Sequence, residues 1–245
     1  MPGQQNTLTQ AIRRDSRLYR VLRWAYQPIK AVKHELKGLR DTRTKRRLVP
    51  EYLAQPGFHG LHVGCGPNRM PGWINTDFES GHPVDFDLDI TKPLPFPDAC
   101  LDAIYAEEVI EHVELDEGRI FLAEARRILK PGGVMRLTTP GADECCRIYL
   151  GMEERKADEW GQFWLNQQEF SPEMWLNSCF NFYGHKHIYS GAQLQRELIR
   201  AGFGETRFCK PHVSESGIVE LSGLERRYGD APDWIFLSTV IVEAR

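Results

Sequence analysis

The 245-residue chain is 41% hydrophobic and 27% charged, with a formal net charge of -3, the balance of an ordinary soluble protein. It is long enough for one large α/β domain with an appendage, and no apolar run approaches the roughly 18 to 20 residues a membrane span requires. Residues Met1 to Thr7 lack the charged and apolar regions of a secretory signal and Pro2 excludes an N-myristoylated glycine, so the expected compartment is the cytoplasm. Cys65, Cys100, Cys145, Cys146, Cys179 and Cys209 contain no C-x-x-C pair and suit neither a zinc site nor a disulfide framework, so reduced thiols are expected.

Charge is unevenly shared. Residues 1–50 hold 13 Lys+Arg against 3 Asp+Glu, a segment charge of +10 that leaves -13 for the rest. From Leu18 to Leu39 apolar residues recur every three or four positions, the spacing of a helix, which Pro28 should kink. Arginines and lysines crowd this stripe beside Tyr19, Trp24 and Tyr26. Such a helix can dock on the main domain or a second copy, or lie at a membrane surface with its cations on anionic lipid. The expected contact segment is residues 10–47, with nucleic acid the least favoured partner, since no named nucleic-acid motif is present. Peripheral attachment to the inner face of the membrane would follow from the lipid reading.

The main domain is expected over residues 51–245. His59 to Val63 reads as a buried strand running into Gly64-Cys65-Gly66, where glycines permit φ > 0 and close approach of a ligand to the backbone. Trp73 to Asp77 reads as the second strand. An NAD-type unit places its acidic residue roughly 20 positions after the glycines. Asp77 follows Gly66 by 11, which argues against NAD while leaving a carboxylate that accepts hydrogen bonds from ribose hydroxyls or caps a turn.

Pro83 to Ile90 alternates apolar and acidic residues as a half-wet strand would, followed by the proline-stiffened loop Leu94-Pro95-Phe96-Pro97-Asp98. Asp85, Asp87 and Asp89 lack the ligand count of a calcium or magnesium loop, so no metal is expected there. Asp89, at the strand's carboxyl edge, is placed to meet an exocyclic amine. Leu101 to Ala106 reads as a strand and about Asp116 to Leu129 as a helix with Ile120, Phe121, Ala123, Ala125, Ile128 and Leu129 on its apolar face. Lys130-Pro131-Gly132-Gly133 should stop the helix before a strand over Val134 to Pro140. Alternating strands and helices imply a doubly wound, mostly parallel sheet with its site at the carboxyl edge.

The runs LHVGCGPN, GWINTD, DLDITKPLPFPDACLDAIYAEEVIEHV and LKPGGVMRLTTP, together with Gly184 to Ser190 and Ala201 to Phe203, resemble class I S-adenosylmethionine-dependent methyltransferases. The resemblance is to the bacterial type-11-like group often associated with surface-polysaccharide genes. It implies a seven-stranded Rossmann-like sheet and S-adenosyl-L-methionine as cofactor. It further implies Gly64, Cys65 and Gly66 at the methionine end, Asp77 at the ribose, Asp89 with Ile90 at the adenine, Asn68, Phe78, Glu107, Glu108 and His112 among the other cofactor-binding residues, and Glu111-His112 starting a helix. His62 and Asn68 depart from the group's usual acidic residue and third glycine.

Residues 142–189 form the expected substrate cover, opening with a helix and then rich in aromatics from Trp160 to Tyr183, which suit sugar faces, flat rings or simple packing. His185, His187 and Tyr189 alternate and would share one face if extended. Pocket lining, a general base for an alcohol acceptor, and a metal pair short of a third ligand are the open readings. Ser190 is the expected N-cap of a helix with Leu194, Leu198 and Ile199 inward, and Trp234 to Val242 an interior strand antiparallel to one near Thr206 to Cys209. The expected activity is O-methylation of a small-molecule or glycan acceptor; a catalytically silent cofactor-binding scaffold and an RNA methyltransferase using the basic segment are the rivals.

Overall fold

Short apolar runs closed by glycine, proline or acidic residues become strands β1 Gly60–Val63, β2 Trp73–Asp77, β3 Phe86–Asp87, β4 Leu101–Glu107, β5 Leu129–Pro140, β6 Thr206–Phe208 and β7 Thr239–Ala244 in the computed structural model. The structure describes residues 43–79, 81–152, 171–225 and 236–245. The expected helix over 18–39 with its kink at Pro28, and the aromatics from Trp160 to Phe170, therefore lie outside the described residues, as does Trp234. Residues 48–245 form one compact unit.

The strands make one sheet in the order β3-β2-β1-β4-β5-β7-β6. It is parallel from β3 to β5, with β7 antiparallel to both neighbours. This is the doubly wound, seven-stranded sheet expected, and its order reverses between β1 and β4, the point at which open α/β sheets bind ligands beyond the carboxyl ends.

Helices α1 Leu115–Ile128 and α4 Gly191–Arg200 cover one face. Phe121, Leu122, Ala125 and Ile128 of α1 and Leu194 and Leu198 of α4 are buried with Leu61, Ile74, Ile104 and Met135 of the sheet, each large side chain contributing about 1.5–3 kcal/mol by leaving water. Ile120, Ala123 and Ile199 point outward instead, because each lies about 100° around the helix from a buried neighbour. Glu114 and Glu117 close a capping box at the start of α1, and Ser190 Oγ accepts from the Gln193 amide at 3.1 Å at the start of α4. Arg119 clamps the two helices through Glu197 at 2.9 Å. Helices α2 Ala142–Tyr149 and α3 Pro172–Asn181 pack on each other through Cys145, Ile148, Trp175 and Cys179.

Three elements depart from the sequence pattern. Pro83 to Ile90 yields only two strand residues, because β2 ends at Asp77, whose carbonyl takes the Leu88 amide at 2.8 Å as the last link of the ladder; before the strand, the Asp85 carboxylate takes the Asn75 amide at 2.8 Å. The chain enters β5 directly from α1, with Leu129 paired to Leu101 and a register shift over Lys130 to Gly133. Residues 236–238 form a turn, so β7 begins at Thr239.

Candidate cofactor site

The turn after β1 is shaped by two glycines at positive φ, Gly64 at +69° and Gly66 at +51°. A Cβ on Gly64 would lie 2.2 Å from Val109 Cγ2, whereas one on Gly66 would meet nothing within 4 Å. Gly64 is thus required by close packing of the segment after β4, and Gly66 turns bare backbone toward open space. That space is a cavity of about 700 Å³ at the carboxyl ends of β1 to β4, within the range of small-molecule and cofactor sites. Gly64, Gly66, Asn68, Asp77, Phe78, Asp89, Ile90, Glu108 and His112 all line it.

Asp77 ends β2 with its carboxylate fixed from two sides, accepting from the Gly66 amide at 3.2 Å and the Phe78 amide at 2.8 Å. Those bonds hold an acceptor-only group at the cavity wall. Asp89 sits beyond β3, where it accepts from the Thr91 hydroxyl at 2.6 Å and amide at 3.0 Å and pairs with Lys92 at 2.6 Å. Burial alone would raise its pKa, but the Lys92 ammonium and the Thr91 donors outweigh that and hold it below the ordinary carboxylate range. Apolar Leu88, Ile90, Val109 and Val113 supply flat walls between these polar ends. Glu108 adopts φ of +54°, a left-handed conformation uncommon for a residue with a Cβ and found where strain serves a site.

Residues 61–137 match the family described as a methyltransferase domain. Over those residues the chain is similar to a methyltransferase domain. A 37.1 kDa protein encoded in transposon TN4556 of Streptomyces fradiae is 28% identical over 127 residues, which is 42% of this chain and 36% of that one, so the chain spans about a third of the length of this curated relative. Among solved structures, an S-adenosylmethionine-dependent methyltransferase from Mesorhizobium loti is similar at TM-score 0.45 and 19% identity over 80% of this chain and 96% of that one. A possible histamine N-methyltransferase from Thermotoga maritima is similar at 0.44 and 20% over 89% and 98%.

S-adenosylmethionine is the methyl donor this family implies, and the residues of the methyltransferase domain fit it. The bare Gly66 backbone admits a ligand, Asp77 offers acceptors to a sugar diol, and apolar walls end at Asp89, an acceptor for an amine. Pro67, His82, Thr91 and Glu117 also line the cavity and were not singled out in the sequence, where nothing in their spacing separates them from loop residues.

Two expected cofactor residues do not face the cavity. Cys65 is buried behind the turn with its thiol against the Gly66 carbonyl, and burial, followed by the charge of Asp77, pushes its pKa up to about 11. Glu107 is buried with Tyr105. It lies two residues along β4 and so on the same face, and burial followed by the Glu107 charge holds the Tyr105 phenol well above its usual range.

His185, His187 and Tyr189 do not share a face, because the segment bridges the sheet only at Gly141 and Tyr189. Tyr189 is buried with its hydroxyl against Gly118 of α1, its ring edge-on to His187 at 4.6 Å, and its pKa pushed up to about 12, first by burial. His187 Nε2 lies 2.9 Å from the Gln193 amide nitrogen. His185 parts from them and stands edge-on to His112 at 5.1 Å. Glu111 and His112 form a 3-10 turn, Ile110–His112, rather than a helix start, since α1 is capped only at Glu114.

Proposed function

We propose that the chain is an S-adenosylmethionine-dependent O-methyltransferase whose acceptor is a sugar or glycan precursor. The observation that carries the cofactor assignment is Asp77, held at the cavity wall by the glycine turn itself. S-adenosylmethionine supplies an electrophilic methyl group and leaves as a neutral thioether. The Gly64 to Gly66 backbone would take its amino-acid end, Asp77 the ribose hydroxyls, and Asp89 with Ile90 the adenine. Positioning of the two reactants provides most of the rate in such an in-line displacement, and a base completes it by removing the acceptor proton. The acceptor assignment is supported by the rim of the cavity. His112 lines it, His185 packs on His112, and the exposed rings of Phe182 and Tyr183 continue outward, with Tyr183 5.9 Å from His185. Exposed aromatic faces suit the apolar faces of a sugar ring.

Calorimetry with S-adenosylmethionine, S-adenosylhomocysteine and NAD on the wild type and Asp77→Ala tests the first half. Both sulfur compounds should bind and NAD should not, and Asp77→Ala should weaken them by about 10- to 100-fold, the loss of hydrogen bonds to a charged group. Absence of binding by either sulfur compound sinks the reading. Transfer of a labelled methyl group to sugar, catechol and RNA acceptors tests the second half; binding without turnover on any class would favour a silent scaffold.

For residues 10–47 we propose contact with an anionic membrane surface or a second copy, on the strength of the +10 charge of residues 1–50 and the helical apolar spacing. Vesicle co-sedimentation at low and high salt, set beside the sedimentation mass without lipid, separates the two.

A further inference from the structure

Glu111, His112 and His185 bring a carboxylate oxygen and two imidazole nitrogens within 4.8 Å of one another, though His185 is 73 positions from His112 in the chain. We propose that this point binds a divalent first-row transition cation, zinc foremost, and that the cation holds the acceptor oxygen at the mouth of the cofactor cavity. The binding site stands on the donors alone; its role rests on the methyltransferase reading.

The donors are braced from behind, as metal ligands usually are. His185 Nδ1 lies 2.7 Å from the Cys179 carbonyl. That oxygen can only accept, so Nδ1 carries the ring proton and Nε2 keeps the lone pair. The Thr139 hydroxyl donates to Glu111 Oε2 at 3.0 Å, which fixes the carboxylate. The Lys186 and His187 amides donate to the Glu111 carbonyl at 2.7 and 3.2 Å, pinning the loop that carries His185 to the turn that carries the other two donors.

Donor chemistry chooses the ion. Two imidazoles and one carboxylate form a set that zinc uses in catalytic sites, with a further position left open, whereas calcium and magnesium prefer oxygen throughout. Tetrahedral bonds of about 2 Å put donors roughly 3.3 Å apart, so a span of at most 4.8 Å closes with a shift of about 1.5 Å or less. Glu111 is fully buried and its Oε1 lies 3.8 Å from His112 Nε2, so the turn presents an oxygen and a nitrogen donor side by side. The open position faces the right way, since His112 is half-exposed and lines the cavity.

An acceptor hydroxyl bound there releases its proton to water more readily, by the same polarisation that brings zinc-bound water to a pKa near about 7. The oxygen lone pair forms the O–CH3 bond and the C–S pair stays on sulfur. The products are a methyl ether, a thioether and one proton.

The test uses the full chain, stripped with chelator and titrated with Co2+ as a visible probe and with Zn2+ by calorimetry, while S-adenosylhomocysteine affinity is read on the same samples. One equivalent of metal should bind with ligand-field bands in the visible. His185→Ala should abolish the bands and weaken zinc at least about tenfold, with S-adenosylhomocysteine affinity unchanged as proof that the domain is folded. Glu111→Gln, which keeps the acceptor for Thr139, should do the same. Failure of the wild type to bind Co2+, or equal binding by His185→Ala, overturns the site. Metal binding without any affinity for S-adenosylhomocysteine would leave the metal site standing and remove the methyltransferase reading instead.

Discussion

Two clusters of buried charge stand on opposite sides of β5, and they are completed differently. Arg136 is fully buried and every N–H of its guanidinium is used: Nε and Nη2 grip Glu225 at 2.6 and 3.0 Å, Nη1 reaches Glu243 at 2.7 Å and the Val213 carbonyl at 2.9 Å, and Nη2 also reaches the Lys210 carbonyl at 3.3 Å. Burial would lower its pKa, but Glu225 and Glu243 hold it above even its usual value. Glu111 is equally buried, yet it meets a hydroxyl at 3.0 Å and an imidazole at 3.8 Å, in a cluster that borders the cavity. The first cluster is saturated by the chain itself and locks β5 to β7, where Arg136 and Glu243 are register partners. The second gathers a carboxylate and two imidazoles at the border of the cavity, the arrangement that the proposed cation would use. Satisfaction of every donor marks a structural ion pair, and convergence of lone pairs beside a cavity marks a site.

Substitution separates them most sharply. Arg136→Met leaves two carboxylates buried without their cation and should cost about 3–5 kcal/mol, read as a fall in the urea midpoint at constant slope. Glu111→Gln removes a buried charge while preserving shape and an acceptor, so the midpoint should stay or rise. A fall as large as that of Arg136→Met would make Glu111 a structural anchor and erase the contrast.

Gly64→Ala should have the next largest effect. Its Cβ would meet Val109 at 2.2 Å in a backbone held at φ +69°, a combination worth about 1–3 kcal/mol of strain. S-adenosylhomocysteine should then raise the melting temperature far less than it does in the wild type, because the turn that presents Gly66 and orients Asp77 is displaced. Adding Val109→Ala removes the clash but not the φ penalty, so only part of the response should return. Full return would assign the whole effect to packing.

The sheet was legible because its signals are local. Buried strands read as apolar runs, the glycine turn follows β1 in sequence as in space, and Ser190 and Gly202 bracket α4. Tyr105 and Glu107 alternate with Ala106 and Glu108, so period two already puts Glu107 on the Tyr105 face of β4. The Arg136 cluster could not be read in this way, since its partners lie 89 and 107 residues away. Nor could the pairing of His112 with His185, which depends on the loop after α3 docking on the Glu111 backbone. In the sequence His185 keeps company with His187 and Tyr189, whereas in the fold it leaves them for His112 and Glu111.

The rim of the cavity supplies an intermediate case. Asp89 is only partly buried and its cation, Lys92, is exposed, so screening by solvent keeps this pair weak in comparison with Arg136. Its depressed pKa nevertheless fixes a sign. A carboxyl whose folded pKa lies below its unfolded value contributes stability that is fully present above the unfolded value, near about 4, and is lost as pH falls through the folded one. Lys92→Ala should therefore be slightly less stable than the wild type at neutral pH, with the difference vanishing at the acid end of the titration. If Asp89 also accepts from the adenine amine, the wild type should hold its S-adenosylhomocysteine affinity down to a lower pH than Lys92→Ala, because only the ionised carboxylate is a pure acceptor. Parallel affinity profiles for the two proteins, with the acid-stability difference retained, would place Asp89 with Arg136 as a group that serves the fold alone.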